Sequence, residues 1–218
     1  MILATPLINN FKVNNSFDTK KKEFKHSNNI LKSLYSDKIS FSALKKNKQG
    51  YETDIIKIFS SILPKKPNLT QKDLNNVLIT MNKDFLKGKY KDEWTKENPT
   101  KGYCYAVTEF IHYFVNPNTR PYCISYDNGT THWFLKNTDN EIIDFTSEQF
   151  KGQTPEYDKA RPNGFLTDYP SKRACEIAVR LGIISREAAN EISKVQKKLR
   201  NAKNKQEELQ ITSDFKKI

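Results

Sequence analysis

The 218-residue chain is long enough for one compact domain with appendages, and its length argues against a second large core. Hydrophobic residues make up 36% and charged residues 28%, so part of the chain is expected to lie outside the core. The net charge of +12 lies mostly in the two ends, whereas residues 101–170 carry more acidic than basic side chains. This distribution argues against a nucleic-acid-binding face on the central part of the chain.

The three cysteines, Cys104, Cys123 and Cys175, form no C-x-x-C pair, which argues against a disulfide framework. The apolar start of the chain lacks a basic region and is interrupted by Pro6, so it does not resemble a signal peptide. No stretch has the run of apolar residues that a bilayer needs. We therefore expect a cytoplasmic protein with free thiols and no membrane contact.

Three parts are predicted along the chain. Residues 1–50 are rich in Asn, Lys and Ser without a sustained hydrophobic period, which predicts a disordered basic tail. An α+β domain follows at 51–185, and a charged C-terminal helix at 186–218. The lysine clusters of the tail favour a solvated segment, and contact with RNA, DNA or an anionic surface is the alternative.

Two helices are predicted at the start of the domain. The first begins at Tyr51 and ends at Pro64, and its isoleucines and phenylalanine crowd one side. The second opens with a capping box from Thr70 to Asp73 and is closed by Gly88. Both are expected to pack on the core through one apolar stripe.

The segment around Cys104 combines a turn with the start of a helix. Pro99 and Gly102 favour a turn before the cysteine. The apolar side chains after it follow helical spacing with one buried stripe, formed by Val107, Phe110, Ile111 and Phe114. Since backbone N–H groups and the helix dipole favour a thiolate at a helix N-terminus, Cys104 is a candidate nucleophile.

Three short strands are predicted next, at 122–126, 132–136 and 141–145, with turn sequences between them. This order predicts an antiparallel meander. Residues 146–169 have little periodicity and are expected to form an irregular segment that lines a cleft. A helix from Ser171 to Gly182 follows, and the last helix starts at Arg186 after a capping Ser185.

A thiol nucleophile needs an imidazole base and a group that orients the ring, and the predicted hairpin offers His132 and Asp144. With the turn centred between Thr138 and Asp139, His132 lies opposite Phe145 and Asp144 faces the other side of the sheet. With the turn centred on Thr138, His132 lies opposite Asp144 on the same face. The sequence does not decide between the two registers.

Other polar residues fit the site less well. Asn140 and Glu141 are rival orienting groups, but they lie in or beside the turn. His112 lies about two helical turns beyond Cys104, roughly 12 Å at the helical rise, and His26 lies in the tail. No metal site is expected because the ligand spacing is absent, and no cofactor is implied.

Between about residues 90 and 150, one set of residues has a characteristic order and spacing: Trp94, Asn98, Pro99, Gly102, Cys104, Thr108, Tyr113, Phe114, His132, Trp133, Ile143, Asp144, Phe145, Thr146, Gln149 and Phe150. In this order and spacing the segment resembles the YunG-like family of small bacterial proteins, whose biochemical activity is unassigned. It implies a papain-like or transglutaminase-like fold, in which the helix carrying the cysteine packs on a small antiparallel sheet and is flanked by helices.

The resemblance further implies Cys104 as nucleophile, His132 as general base and Asp144 as orienting group. Tyr103 stands where the family commonly has glutamine. The oxyanion hole is then expected to use backbone N–H groups, including that of Cys104, or another donor.

The predicted function is a cysteine-dependent hydrolase or acyltransferase that acts on an amide, ester or thioester carbonyl of a peptide, protein or small acyl substrate. The alternative is an inactive module that keeps the fold and binds protein or nucleic acid through its basic ends.

Overall fold

The structure is a computed structural model that describes residues 54–215. The predicted disordered tail at 1–50, the predicted helix start at Tyr51 and the last three residues lie outside the described residues. Seven α-helices occur within them: α1 Asp54–Ile62, α2 Gln71–Met81, α3 Lys89–Glu93, α4 Cys104–Phe114, α5 Lys172–Arg180, α6 Arg186–Asn201 and α7 Lys205–Phe215. None of these helices is long and apolar enough to cross a lipid bilayer.

The sheet has four antiparallel strands in the order β3-β2-β1-β4. They are β1 Thr119–Ser125, β2 Thr131–Asn137, β3 Ile142–Ile143 and β4 Arg161–Pro162. The first three form the predicted meander, and the α+β class is confirmed. The irregular segment predicted at 146–169 also contains β4 and two 3-10 turns, Ser147–Phe150 and Tyr157–Lys159.

The helix α4 lies at the centre of the fold. The sequence predicts one buried stripe, but every residue of α4 except Tyr105 is buried. The difference arises because α4 packs on β2 of the sheet as well as on α1 and α5, so no face of it is left to solvent. The residue that opens this helix, Cys104, is thereby fixed against the sheet.

The flanking helices begin at the capping residues that the sequence predicts. Thr70 and Asp73 complete the capping box of α2 reciprocally, with the Asp73 N–H donating to Thr70 Oγ1 at 3.1 Å. This helix ends at Met81, earlier than predicted, because Asn82 adopts a positive φ of 54° and starts the 3-10 turn Asn82–Phe85. Ser171 and Ser185 cap α5 and α6 as expected.

The C-terminal helices belong to the same hydrophobic core. The predicted stripe of α6 is fully buried there, at Ala189, Ile192, Val195 and Leu199. The sequence predicts one charged helix from Arg186, but the structure has two, because the extended backbone of Ala202 ends α6 before α7 begins. The ring of Phe215 in α7 lies 5.5 Å from that of Phe59 in α1, so α7 also packs on the domain.

Candidate active site

Cys104 is the first residue of α4, as the sequence predicts. The chain reaches it through Gly102, whose φ of 77° favours glycine. A Cβ at this position would lie 2.8 Å from the Cβ of Tyr90, so the close approach also requires glycine. The turn thereby fixes where the cysteine enters the helix, whose first N–H groups lack acceptors within the helix.

The thiol of Cys104 lies against the start of β2. Its Sγ is 3.9 Å from the backbone oxygen of Thr131, and the residue is 8% exposed. Cys104 clusters with Cys123 and Trp133, and Tyr105 packs against this cluster with its ring edge-on to Trp133 at 5.0 Å. The thiol therefore faces an apolar and aromatic wall.

The imidazole of His132 is enclosed on the opposite face of β2 from Trp133. Its side chain is 1% exposed. The ring of Phe150 meets it edge-on at 4.8 Å, and Phe134 stacks at 6.1 Å. This packing holds the plane of the imidazole in one orientation.

Asp144 follows β3 and accepts a hydrogen bond from His132, with Nε2 and Oδ2 2.7 Å apart. Its other oxygen accepts from the N–H and the hydroxyl of Thr146, and the Tyr157 hydroxyl donates to Oδ2 at 2.8 Å. Burial opposes ionisation of this carboxyl, but the hydrogen bond and charge of His132 and the other donors hold its pKa below the usual value. Asp144 is therefore held as a carboxylate.

The register of the hairpin differs from both alternatives considered from the sequence. Leu135 pairs with Ile143, so the loop is centred on Asp139, one position later than in the favourable alternative. Moving the centre of the loop by one position shifts each cross-strand partner by two residues, so side chains keep their face of the sheet. His132 and Asp144 therefore stay on the same face, as diagonal neighbours and not as direct partners.

The pKa of His132 reflects two opposing influences. Burial lowers it, whereas the hydrogen bond with Asp144, the charge of Asp144 and the neighbouring Cys104 raise it to about 9. The imidazole is thus bonded to the carboxylate and is influenced by the nearby Cys104. The structure brings together the three residues that the sequence singled out.

Gln149 also belongs to the site, although no role was expected for it from the sequence. Its Nε2 lies 3.0 Å from Nδ1 of His132 and donates to the backbone oxygen of Thr146 at 3.0 Å. Tyr157 was missed as well. Neither contact has a signature in the sequence, although the Asp-x-Thr spacing of Asp144 and Thr146 is typical of an Asx turn that brings the following residues back towards the carboxylate.

The side chain of Tyr103 points away from the site. It is completely buried, and its hydroxyl donates to the backbone oxygen of Asn82. Tyr103 therefore does not take the position of an oxyanion donor. The N–H groups of the first turn of α4 remain the expected donors.

Cys123 lies in the cluster beside Cys104, and the other candidates lie elsewhere. Burial raises the pKa of Cys123 and that of Cys175, the latter to about 12. His112 contacts Ser60 and Thr119, and burial lowers its pKa to about 4. The rival orienting groups Asn140 and Glu141 lie in the hairpin loop, where Glu141 bonds Asn137. Within residues 54–215, no group of three or more His, Cys, Asp or Glu is arranged to hold a metal ion.

Comparisons with protein-family models, with curated proteins and with solved structures returned no match. The resemblance to the YunG-like family stays a prediction.

Proposed function

We propose that this protein is a cysteine-dependent hydrolase or acyltransferase, with Cys104 as nucleophile, His132 as general base and Asp144 as the group that orients the imidazole. The observation that carries the proposal is the buried 2.7 Å hydrogen bond between His132 and Asp144, with Cys104 close enough to the ring to raise the pKa of His132. A buried carboxylate, imidazole and thiol in one chain is the arrangement that nucleophilic acyl transfer needs.

The proposed reaction starts with proton transfer from Cys104 to Nδ1 of His132, the ring nitrogen not bonded to Asp144. The thiolate attacks the carbonyl carbon of the substrate, and the developing oxyanion is stabilised by N–H groups at the start of α4. Collapse of the tetrahedral intermediate expels an amine, alcohol or thiol, which takes the proton from His132. Water or an amine then attacks the thioester while His132 accepts its proton. The second tetrahedral intermediate collapses by breaking the C–S bond, which releases the acid or amide, and His132 returns the proton to the Cys104 sulfur.

The finer fold assignment is part of the same proposal. The helix with the cysteine, the adjacent strand with the histidine and the carboxylate after the next strand follow each other in the order of papain-like and transglutaminase-like enzymes. The substrate class is a peptide, protein or small acyl compound. The apolar wall formed by Cys123, Trp133 and Tyr105 supports an apolar group next to the scissile carbonyl.

The test is residue-resolved alkylation of the full chain with iodoacetamide, followed by peptide mapping. Cys104 is expected to react fastest, and His132→Ala is expected to slow its labelling. Cys123 and Cys175 are internal controls, and His112→Ala removes a buried histidine away from the site. Equal, slow labelling of all three cysteines would refute the enzyme and favour the inactive module.

A further inference from the structure

The carboxamide of Gln149 occupies the ring nitrogen that the proposed reaction uses. Nε2 of His132 bonds Asp144, which leaves Nδ1 as the nitrogen for the thiol proton. The Nε2 atom of Gln149 lies 3.0 Å from this same Nδ1. A neutral imidazole nitrogen has one lone pair, so Gln149 and Cys104 compete for it.

The orientation of the carboxamide is fixed by its second partner. The backbone oxygen of Thr146 accepts a hydrogen bond from Gln149 Nε2 at 3.0 Å. A carbonyl oxygen can only accept, so the Gln149 atom that faces it must be the amide nitrogen. Turning the amide over would set Gln149 Oε1 against that oxygen. The group that faces Nδ1 is therefore an N–H donor.

A donor at Nδ1 selects one state of the ring. The neutral tautomer with its proton on Nε2 donates to Asp144 and accepts from Gln149, so both contacts are satisfied. A protonated ring would set the Nδ1 proton against the amide protons of Gln149. The contact with Gln149 therefore opposes the imidazolium that forms when Cys104 loses its proton.

Gln149 is also tied to the segment that leads to the nucleophile. It lies in the 3-10 turn Ser147–Phe150, and its backbone oxygen accepts from Asn98 Nδ2 at 3.3 Å. Asn98 belongs to the turn before Cys104, whose successive N–H to carbonyl bonds run on to Tyr103. A displacement of either segment changes the distance between the carboxamide and the imidazole.

We propose that Gln149 is a positioning residue that fixes the neutral ring of His132 as the tautomer protonated on Nε2 and disfavours the imidazolium, so that Cys104 is activated more fully when the carboxamide leaves Nδ1. This role rests on the proposed function of Cys104 and His132. It makes the site a restrained one, in which movement of the turn at 147–150 favours nucleophilic attack.

Several titratable groups face His132. Cys104 at the start of α4 and Asp144 after β3 contact it directly. Tyr157 bonds the same oxygen of Asp144, and Tyr126 lies near both Asp144 and Cys104. The substitution that tests the proposal must therefore leave these four groups in place.

The test compares Gln149→Met with Gln153→Met in the full chain. Methionine keeps the length of the side chain and removes the donor, whereas Gln153 is exposed in the same segment and serves as the matched control. Nitrogen NMR spectra of ¹⁵N-labelled histidine rings report the tautomer and the titration midpoint of His132, and iodoacetamide reports the labelling rate of Cys104. The His132→Ala variant assigns the ring signals.

Gln149→Met is expected to raise the titration midpoint of His132 by about half to one pH unit and to speed labelling of Cys104 at neutral pH about three- to tenfold. Gln149→Glu, which accepts from a protonated Nδ1, is expected to raise the midpoint further. Gln153→Met should change neither reading. In the wild type, the neutral ring should carry its proton on Nε2.

An unchanged or lowered midpoint in folded Gln149→Met, or a wild-type ring protonated on Nδ1 when neutral, would overturn the role of Gln149. If Gln149→Met does not fold, the role of Gln149 is judged from the titration midpoint of His132 in Gln149→Glu and from the tautomer of the neutral ring in the wild type. A raised midpoint without preferential labelling of Cys104 would refute the proposed enzyme but leave the restraint on His132 standing. Preferential labelling of Cys104 with an unchanged titration midpoint of His132 in Gln149→Met would support the proposed enzyme and refute the restraint on His132.

Discussion

His132 donates to Asp144 across a hairpin although the two residues are diagonal, not direct, neighbours in the sheet. The Nε2 to Oδ2 distance is 2.7 Å, and the two side chains are 1% and 3% exposed. The contact is reached because the strand ends at Ile143 and Asp144 turns back, with its Oδ1 accepting from the N–H of Thr146 at 2.8 Å. A charge placed in this way acts on the ring with little screening by solvent.

Asp144→Asn is expected to lower the titration midpoint of His132 and to slow alkylation of Cys104 about tenfold or more, because the amide keeps the shape but loses the charge that favours the imidazolium. The measurement is the pH-dependent rate of iodoacetamide labelling at Cys104. Asp158→Asn, an exposed carboxylate nearby, is the control and should leave the rate unchanged. Equal rates in both variants would show that Asp144 does not act on the ring.

The stability of the protein should depend on the ionisation of His132 at alkaline pH. Burial lowers its pKa, but the hydrogen bond and charge of Asp144, together with the neighbouring Cys104, outweigh burial and raise it from 6.5 to about 9 in the folded protein. Because the folded state binds the proton more tightly, this contribution is complete below pH 6.5 and is lost as the pH rises through about 9. Urea unfolding of wild type and His132→Gln across this range should show a difference in unfolding free energy that shrinks with rising pH. A difference that grows with pH would contradict this assignment.

Glu109→Gln is expected to stabilise the protein above neutral pH. Glu109 is completely buried in α4, where Ser171 N–H donates to Oε2 at 3.2 Å and Oε1 has no hydrogen-bond partner among the described residues. Burial raises the pKa of this carboxyl from 4.5 to about 7, so the wild type loses stability as the pH rises through that interval.

The neutral amide of Glu109→Gln should remove this pH dependence and raise the unfolding free energy above neutral pH by about 1 to 2 kcal/mol. Glu191→Gln breaks a surface ion pair with Lys194 and is the matched control, with an expected change of no more than about 0.5 kcal/mol. Thermal unfolding at several pH values measures both variants. If the stability of Glu109→Gln depends on pH as strongly as that of the wild type, the pH dependence comes from groups other than Glu109.

Gly102→Ala is expected to lower the unfolding free energy by about 1 to 3 kcal/mol and to slow labelling of Cys104, because the added Cβ meets Tyr90 at a positive φ. Gly164→Ala is the control, since a Cβ there meets nothing within 4 Å. Urea unfolding and alkylation of the two variants separate the effects. Normal stability of Gly102→Ala would show that the turn tolerates a side chain.

Loop chemistry explains why the sequence does not decide the register of the hairpin. Asn137 and Glu141 close a three-residue loop in which Asn137 Oδ1 accepts from the N–H groups of Asp139 and Glu141. Asn140 adopts a positive φ of 63°, which asparagine tolerates better than most residues. The sequence contains these residues, but several turn types accommodate them, and packing of β3 on β2 selects one.

The amino-acid sequence by itself determined the helix that begins at Cys104 and the meander that follows it, because apolar periodicity and turn residues are local properties. It offered His132 and Asp144 as candidates without deciding the register that brings them together. Tertiary structure alone decided that Gln149 meets the ring of His132 and that Tyr103 turns into the core. These contacts join segments far apart in the chain or depend on the direction of one side chain. They are selected by the packing of all the elements together, which no local pattern encodes.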